Sequence, residues 1–255
     1  MSSPVESSLA ENPLKIENVS VALLAGGLAT RLRPITQTIP KALVDVGGRP
    51  FIDHQLELLA RNGIRHVVFC LGYLGEQVEA HVGDGRRFGV CVEYSFDGPT
   101  LQGTGGALRR ALPLLGDTFW VMYGDSYMDI AYREVLAAFA TAREAGSEIE
   151  GLMTVLHNGD RWDKSNVVFR DGCLQCYDKR NKTPEMAYID YGVSILRRNA
   201  VERIRLDQPF DLADLYRDLT AEHRMIGFEV RERFYEIGTP ESLQEASDYL
   251  ARRAA

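Results

Sequence analysis

The sequence predicts an α/β fold, a mostly parallel mixed sheet flanked by helices and joined to a smaller β-rich lobe. Three observations carry this expectation. Apolar runs of strand length alternate with amphipathic stretches of helical period through residues 19–145, which implies right-handed crossovers and a sheet covered on both faces. Two glycine-rich stretches and Gly124-Asp125 fall at or near the ends of expected strands, where open α/β sheets place their ligands. Beyond residue 145 the apolar runs are split by turns such as Asp171-Gly172, an antiparallel signature.

Taken in order, residues 19–25 read as a strand ending at Gly26-Gly27. Residues 51–61 place apolar side chains at 52, 56, 58 and 59 on one helical stripe, and Asn62-Gly63 closes the helix. A strand at 66–71, a short helix after Gly75 and a strand at 91–96 follow. Next come a helix over 106–115, a strand at 119–123 and a helix over 132–145. In the second half, 151–156, 165–169, 173–177 and 189–196 read as strands, and 211–223 and 240–251 as helices. The 255 residues, 45% hydrophobic and 25% charged, suffice for a sizeable core. Residues 1–14, rich in Ser, Glu and Pro, read as a flexible leader. Residues 15–255 read as one domain, divided near residue 147.

A net charge of −7 argues against a general nucleic-acid binder, which would carry a basic stripe. The opening residues have no apolar core of a secretory signal, and the longest apolar runs are too short to span a bilayer. The expected setting is cytoplasmic, with neither membrane nor nucleic acid as partner. Cysteines stand at 70, 91, 173 and 176. Cys173-Leu-Gln-Cys176 has half the spacing of a zinc site, but no second close pair follows and the five histidines are scattered. In a regular strand residues three apart face opposite ways, so ordinary thiols are the expectation. The arginine pairs at 109–110, 197–198 and 252–253 read as solvated element ends, and 207–218 as an exposed acidic face.

The strongest signal is Leu24-Ala25-Gly26-Gly27-Leu28-Ala29-Thr30-Arg31-Leu32-Arg33-Pro34, followed by Pro40-Lys41. A strand here delivers the chain to a glycine turn whose exposed N–H groups can surround phosphate oxygens. Arg31 adds a forked cation suited to bidentate grip on phosphate. Lys41 adds a mobile point charge, aimed by the restricted backbone of Pro40. A bare Gly-Gly after a strand would be an ordinary turn; the glycines, Arg31 and Pro-Lys in this order are not. No Gly-Lys-Ser/Thr follows, so this is not a Walker loop. The third glycine of a dinucleotide fingerprint is also missing. A second stretch, Gln102-Gly103-Thr104-Gly105-Gly106-Ala107, opens a helix. Its glycines would let a planar base approach the backbone, and the helix start offers free N–H groups. A third, Tyr123-Gly124-Asp125-Ser126, ends a strand.

At these residues the chain resembles the nucleoside-diphosphate-sugar pyrophosphorylases, with their G-G-x-x-T-R-(L)-x-P…P-K signature, at intervals over residues 19–248. Within the group it looks most like the short bacterial heptose- and mannose-1-phosphate guanylyltransferases. The resemblance implies a Rossmann-like sheet with a sugar-binding lobe: 15–147 would bind nucleotide, and 148–255 would bind sugar and supply the C-terminal helices. It implies transfer of a nucleoside monophosphate from a triphosphate to a sugar 1-phosphate, for glycan precursors, with release of pyrophosphate. By the same resemblance Asp125 would hold a magnesium ion, with Glu236 as its partner in Phe234-Tyr235-Glu236-Ile237-Gly238-Thr239-Pro240, where relatives often carry Asp. Leu24, Ala25, Gly26, Gly27, Thr30, Arg31, Gln102, Gly103, Thr104 and Gly105 would hold the nucleotide, although Gln102 replaces the usual Leu. Arg31, Lys41 and Asp125 would be catalytic. Asp178-Lys179 and Asp190-x-Gly192 would bind the sugar phosphate, with Asp190 in place of Asn. Relatives often self-associate, so a homo-oligomer stays open. Two other readings stand beside this one. One is a cytidylyl- or uridylyltransferase acting on another phosphorylated acceptor. The other is a non-catalytic sugar-nucleotide sensor, which the Glu236 departure would favour.

Overall fold

Apolar runs that end in glycine or polar turns build the centre of the molecule, which a computed structural model describes over residues 14–146, 148–206 and 208–254. The expected leader at 1–14 lies outside the described residues, Leu14 excepted. A single-turn helix (Ile16–Asn18) precedes β1 (Val21–Leu24), which is followed by three more single-turn helices (Thr30–Leu32, Ile35–Gln37, Lys41–Leu43) and a ribbon of β2 (Asp45–Val46) and β3 (Arg49–Pro50). Next come α1 (Phe51–Arg61), β4 (His66–Leu71), α2 (Gly75–Val82), β5 (Cys91–Phe96) and α3 (Gly103–Ala111). β6 (Thr118–Tyr123), β7 (Ser126–Tyr127) and α4 (Tyr132–Ala145) close the first half. The second half adds β8 (Gly151–His157), β9 (Val167–Arg170), β10 (Cys173–Tyr177), β11 (Tyr188–Arg197) and α5 (Arg198–Glu202). It finishes with α6 (Leu212–Ala221), β12 (Met225–Val230), β13 (Tyr235–Glu236) and α7 (Pro240–Ala254).

β5, β4, β1 and β6 lie side by side in that order, all parallel. β11 runs antiparallel beside β6, and β8 and β12 continue the sheet beyond it. Residues on both sides of position 147 therefore share one sheet, and the β9–β10 hairpin branches from the start of β11 as a smaller β-rich lobe. β12 is absent from the sequence expectation because Gly227 interrupts its apolar run. A Cβ there would meet the Phe169 ring at 2.6 Å, so the packing requires the glycine.

All four residues of β1 are buried, as a central parallel strand covered on both faces demands. The pleat sends Val21 and Leu23 to one core with Phe69, Trp120 and Met122, beneath α1, α2 and α4. Ala22 and Leu24 face the other core with Cys70, Phe119 and Val121, beneath α3, α5 and α6. α1 ends as its sequence dictates: Gly63 adopts φ +91 and Ile64 N donates to Leu59 O at 3.1 Å. The expected acidic face at 207–218 is half a core: Leu212, Ala213, Leu215 and Tyr216 are buried, and Asp211 caps α6 by accepting from Ala213 N at 3.0 Å. Asp207 lies outside the described residues.

Candidate active site

The carboxyl ends of β5, β4, β1 and β6 open into a cleft of about 420 Å³. The turn after β1 supplies Leu24, Ala25, Gly26, Gly27, Thr30 and Arg31 to its wall. The two glycines do different work. A Cβ on Gly26 would lie 2.8 Å from Gly72 N, so two backbones touch there. A Cβ on Gly27 would meet no protein atom within 4 Å and would project into open space. Ala29 takes the left-handed φ of 46°, fixed by the Thr36 hydroxyl donating to its carbonyl at 2.7 Å. Among the described residues the N–H groups of Gly27, Leu28, Ala29, Thr30 and Arg31 have no recorded acceptor, and a run of free N–H groups makes an anion-binding concavity. Gly27→Ala is therefore expected to leave the melting temperature unchanged while weakening triphosphate binding about tenfold or more, as calorimetric titration would register.

Lys41 and Asp125 meet across the cleft, with Nζ 2.6 Å from Oδ2. Asp125 Oδ1 accepts from the Ser126 hydroxyl at 3.0 Å, and its carbonyl accepts from Ile237 N at 2.9 Å. Burial works to raise the Asp125 carboxyl, but Lys41 and Ser126 outweigh it and hold the group below its usual value. β13 pairs with β7 in the register Glu236 to Ser126, which brings the Glu236 carboxylate to the same place. Burial and then Asp125 push Glu236 up, while Lys41 and Arg31 pull it back. A methyl on Gly238 would sit 3.0 Å from Glu236 Oε1 and 3.2 Å from Arg31 Nη2. Arg31, Lys41, Asp125 and Glu236 thus form one charged cluster. Two carboxylates with hard oxygens, close enough to repel, fit a magnesium ion that takes its other ligands from phosphate and water. Among the described residues no group of three or more His, Cys, Asp or Glu gathers for a metal.

At the far side of the cleft stand Cys70, Asp97, Leu101, Gly103, Thr104 and Ala107. α3 begins at Gly103, three residues ahead of the expected start, so the glycine stretch is its first turn. The expectation of free N–H groups is corrected at Gly105 and Gly106, which donate to Phe210 O at 2.9 and 3.2 Å. Cβ atoms on Gly103 and Gly105 would both fall 2.6 Å from Phe210, so these glycines admit a neighbouring segment. Thr104 faces the cleft yet binds the start of α6, accepting from Leu212 N at 2.9 Å and donating to Asp211 at 3.1 Å. Gln102 is not a wall residue: its amide donates to Thr100 O, and Leu101 occupies the wall. Asp97, which motif reading missed, is 5% exposed and accepts from Gln102 N at 3.0 Å through Oδ2. Burial raises its carboxyl, opposed by the Gln102 N–H and the Arg110 charge. Its position just past the end of β5 was the available signal.

The expected sugar residues lie off this cleft. Asp178 is committed to its own turn, accepting from Arg180 N at 2.7 Å and from Asn181 N at 2.9 Å. Lys179 is exposed on the same turn. Asp190 accepts from Gly192 N at 3.0 Å, and its own N–H donates to Asn166 Oδ1 at 2.9 Å. Gly192 needs its φ of +95°, and a Cβ there would touch Tyr123, a wall residue. Asp190 and Gly192 thus adjoin the cleft behind Tyr123. Burial raises the Asp190 carboxyl to about 6, with Gly192 N–H and Lys179 opposing. A carboxyl raised on folding stabilises below its unfolded value near 4 and loses that contribution as pH climbs through about 6. Asp190→Asn is accordingly expected to stabilise the fold by about 1–2 kcal/mol at pH 7.5, discounted for partial solvent access, and by little at pH 4. Thermal unfolding at the two values checks this.

Two other expectations change. A bulge between Leu174 and Cys176 breaks the alternation of β10, so the argument that residues 173 and 176 face opposite ways does not hold. All four cysteines are nonetheless free thiols. Arg198 is no solvated strand end, since it donates to the carbonyls of Leu112, at 2.9 Å, and Leu115. No helix among the described residues is long and apolar enough to cross a membrane.

A family model described as "Nucleotidyl transferase" matches residues 20–162. The N-acetylmuramate alpha-1-phosphate uridylyltransferase of Neisseria meningitidis is 31% identical over 229 residues, which are 88% of this chain and 95% of that protein. The UTP–glucose-1-phosphate uridylyltransferase of Synechocystis is 30% identical over 210 residues, 76% of this chain, but the chain spans only 53% of that longer protein. Among solved structures, HddC from Yersinia pseudotuberculosis complexed with GMP-PN superposes with a TM-score of 0.73 at 23% identity, covering 91% of this chain and 99% of that one. At that identity the likeness speaks for the fold.

Proposed function

This chain belongs to the nucleotidyl transferase family, and from that premise we propose that it transfers a nucleoside monophosphate from a triphosphate to a sugar 1-phosphate. The observation that carries the reading is the meeting of Arg31, Lys41 and Asp125 on one cleft beside a run of free N–H groups. Such a site neutralises and aligns two mutually repelling anions.

An oxygen of the sugar phosphate attacks the α-phosphorus, a new P–O bond forms, and the bond to the β-phosphate oxygen breaks to release pyrophosphate. The attacking oxygen is already ionised near neutral pH, so no general base is needed. Arg31 and the Gly27–Arg31 turn hold the departing pyrophosphate. Lys41 exchanges its contact with Asp125 for the phosphates as negative charge shifts to the leaving group. Asp125 and Glu236 would hold a magnesium ion, which supplies charge neutralisation at the phosphates when bound. The proposed setting is the cytoplasm.

Pyrophosphate release from a panel of nucleoside triphosphates and sugar 1-phosphates, with magnesium, tests the reading. Release that depends on both substrates is expected. Tight binding of nucleotide sugar without release would favour a sensor, and release with a different phosphorylated acceptor would favour another cytidylyl- or uridylyl-type transfer.

A further inference from the structure

Resting on the proposed reaction, we infer that Asp97 selects guanine as the base, by accepting two adjacent N–H donors of its edge. The two ends of the cleft differ in chemistry. Arg31, Lys41 and Asp125 make one end suited to phosphate. Cys70, Leu101 and Ala107 make the other an apolar slot in which Asp97 is the one carboxylate among the described residues. Asp97 follows β5 and Asp125 follows β6, with β4 and β1 between them. Three strand spacings put about 14 Å between those strand ends, a gap that a nucleotide laid across β4 and β1 fills from base edge to α-phosphate.

Asp97 is buried, and its Oδ2 is taken by Gln102 N, which fixes the carboxyl plane. Among the described residues no donor is recorded for Oδ1, and that oxygen lies on a residue of the cleft wall. An ionised carboxylate accepts and cannot donate. Guanine carries N1–H beside an exocyclic amino group, two donors side by side, which match the free Oδ1 and the second lone pair of Oδ2. Uracil presents one N–H between two carbonyls, and cytosine and adenine set a ring-nitrogen acceptor beside their amino group. Each of these would turn an acceptor toward the carboxylate, and a buried polar group left facing the wrong partner discriminates strongly. The inference runs against the uracil nucleotides in the names of the Neisseria and Synechocystis relatives, so the two expectations separate cleanly.

The test compares GTP, UTP, CTP, ATP and xanthosine triphosphate for pyrophosphate release by the full chain and by Asp97→Asn. Asparagine keeps the acceptor for Gln102 N but turns an amino group toward the base, so it should reject guanine and accept xanthine, whose C2 carries a carbonyl. GTP is expected to be preferred by the unaltered chain. The variant should lose roughly tenfold to a hundredfold in kcat/KM for GTP and gain use of xanthosine triphosphate, with no fall in melting temperature. Preference for UTP in the unaltered chain, or an equal loss for every triphosphate in the variant, would overturn the role of Asp97 and leave the proposed reaction standing. If no triphosphate releases pyrophosphate, the reaction fails instead. Calorimetric titration of GTP and UTP into both proteins then decides the base preference: tighter GTP binding lost in the variant supports it, and equal binding rejects it.

Discussion

Asp125→Ala is expected to retain its fold and lose turnover by about 10²–10³, on the scale known for removing one preorganised partner of a developing charge. Two losses act together. The substitution removes one of the two carboxylates, Asp125 and Glu236, proposed to hold a divalent ion. It also frees Lys41, whose Nζ is held 2.6 Å from Oδ2, so the ammonium no longer starts from a fixed position. The fold should survive because the structural bond at this residue is to its backbone, where Ile237 N donates to the carbonyl at 2.9 Å. Steady-state pyrophosphate release with a melting curve on the same sample checks both halves. Normal turnover would remove Asp125 from the mechanism.

Arg31→Ala should cost a similar factor, about 10²–10³ in kcat/KM, by a different route. The guanidinium lies on the cleft beside Glu236 and Gly238, and its fork suits two phosphate oxygens at once. Its turn is held by backbone and by Thr36: Leu32 N donates to Ala29 O at 3.2 Å, and Thr36 Oγ1 donates to the same carbonyl at 2.7 Å. Removing the side chain therefore leaves the turn in place. Arg31→Lys separates charge from geometry, since a point charge on a flexible stem does not reproduce the fork. Recovery of only a small part of the lost rate is expected, and full recovery would show that charge alone suffices.

The cleft wall formed by the turn after β1 was legible because its residues are local in sequence. Strand, glycine turn, Arg31 and Lys41 follow one another within 21 residues, Val21 to Lys41, and strand β1 sets the direction in which the turn leaves the sheet. The second glycine stretch was legible as a helix start but misjudged in detail, because its N–H groups are consumed by Phe210, more than 100 residues away. Asp97 went unseen for the same reason in reverse: a lone aspartate near a turn gains meaning only when Gln102 and the walls of the cleft close round it. Asp178 shows the opposite failure. A carboxylate beside a lysine suggests a ligand, yet the nearest donors are those of its own turn. Strands β8 and β11 read correctly as strands, but their place in the central sheet depends on pairing across the chain, which local pattern does not encode.

The account rests on a single displacement at one phosphorus atom, carried out between the cations of the β1 turn and the carboxylates that follow β6 and lie in β13. The configuration at phosphorus, followed with a triphosphate bearing a chiral sulfur-substituted α-phosphate, reads this directly. One displacement predicts inversion in the nucleotide sugar. Retention would require a covalent nucleotidyl-enzyme between two displacements and would contradict the account.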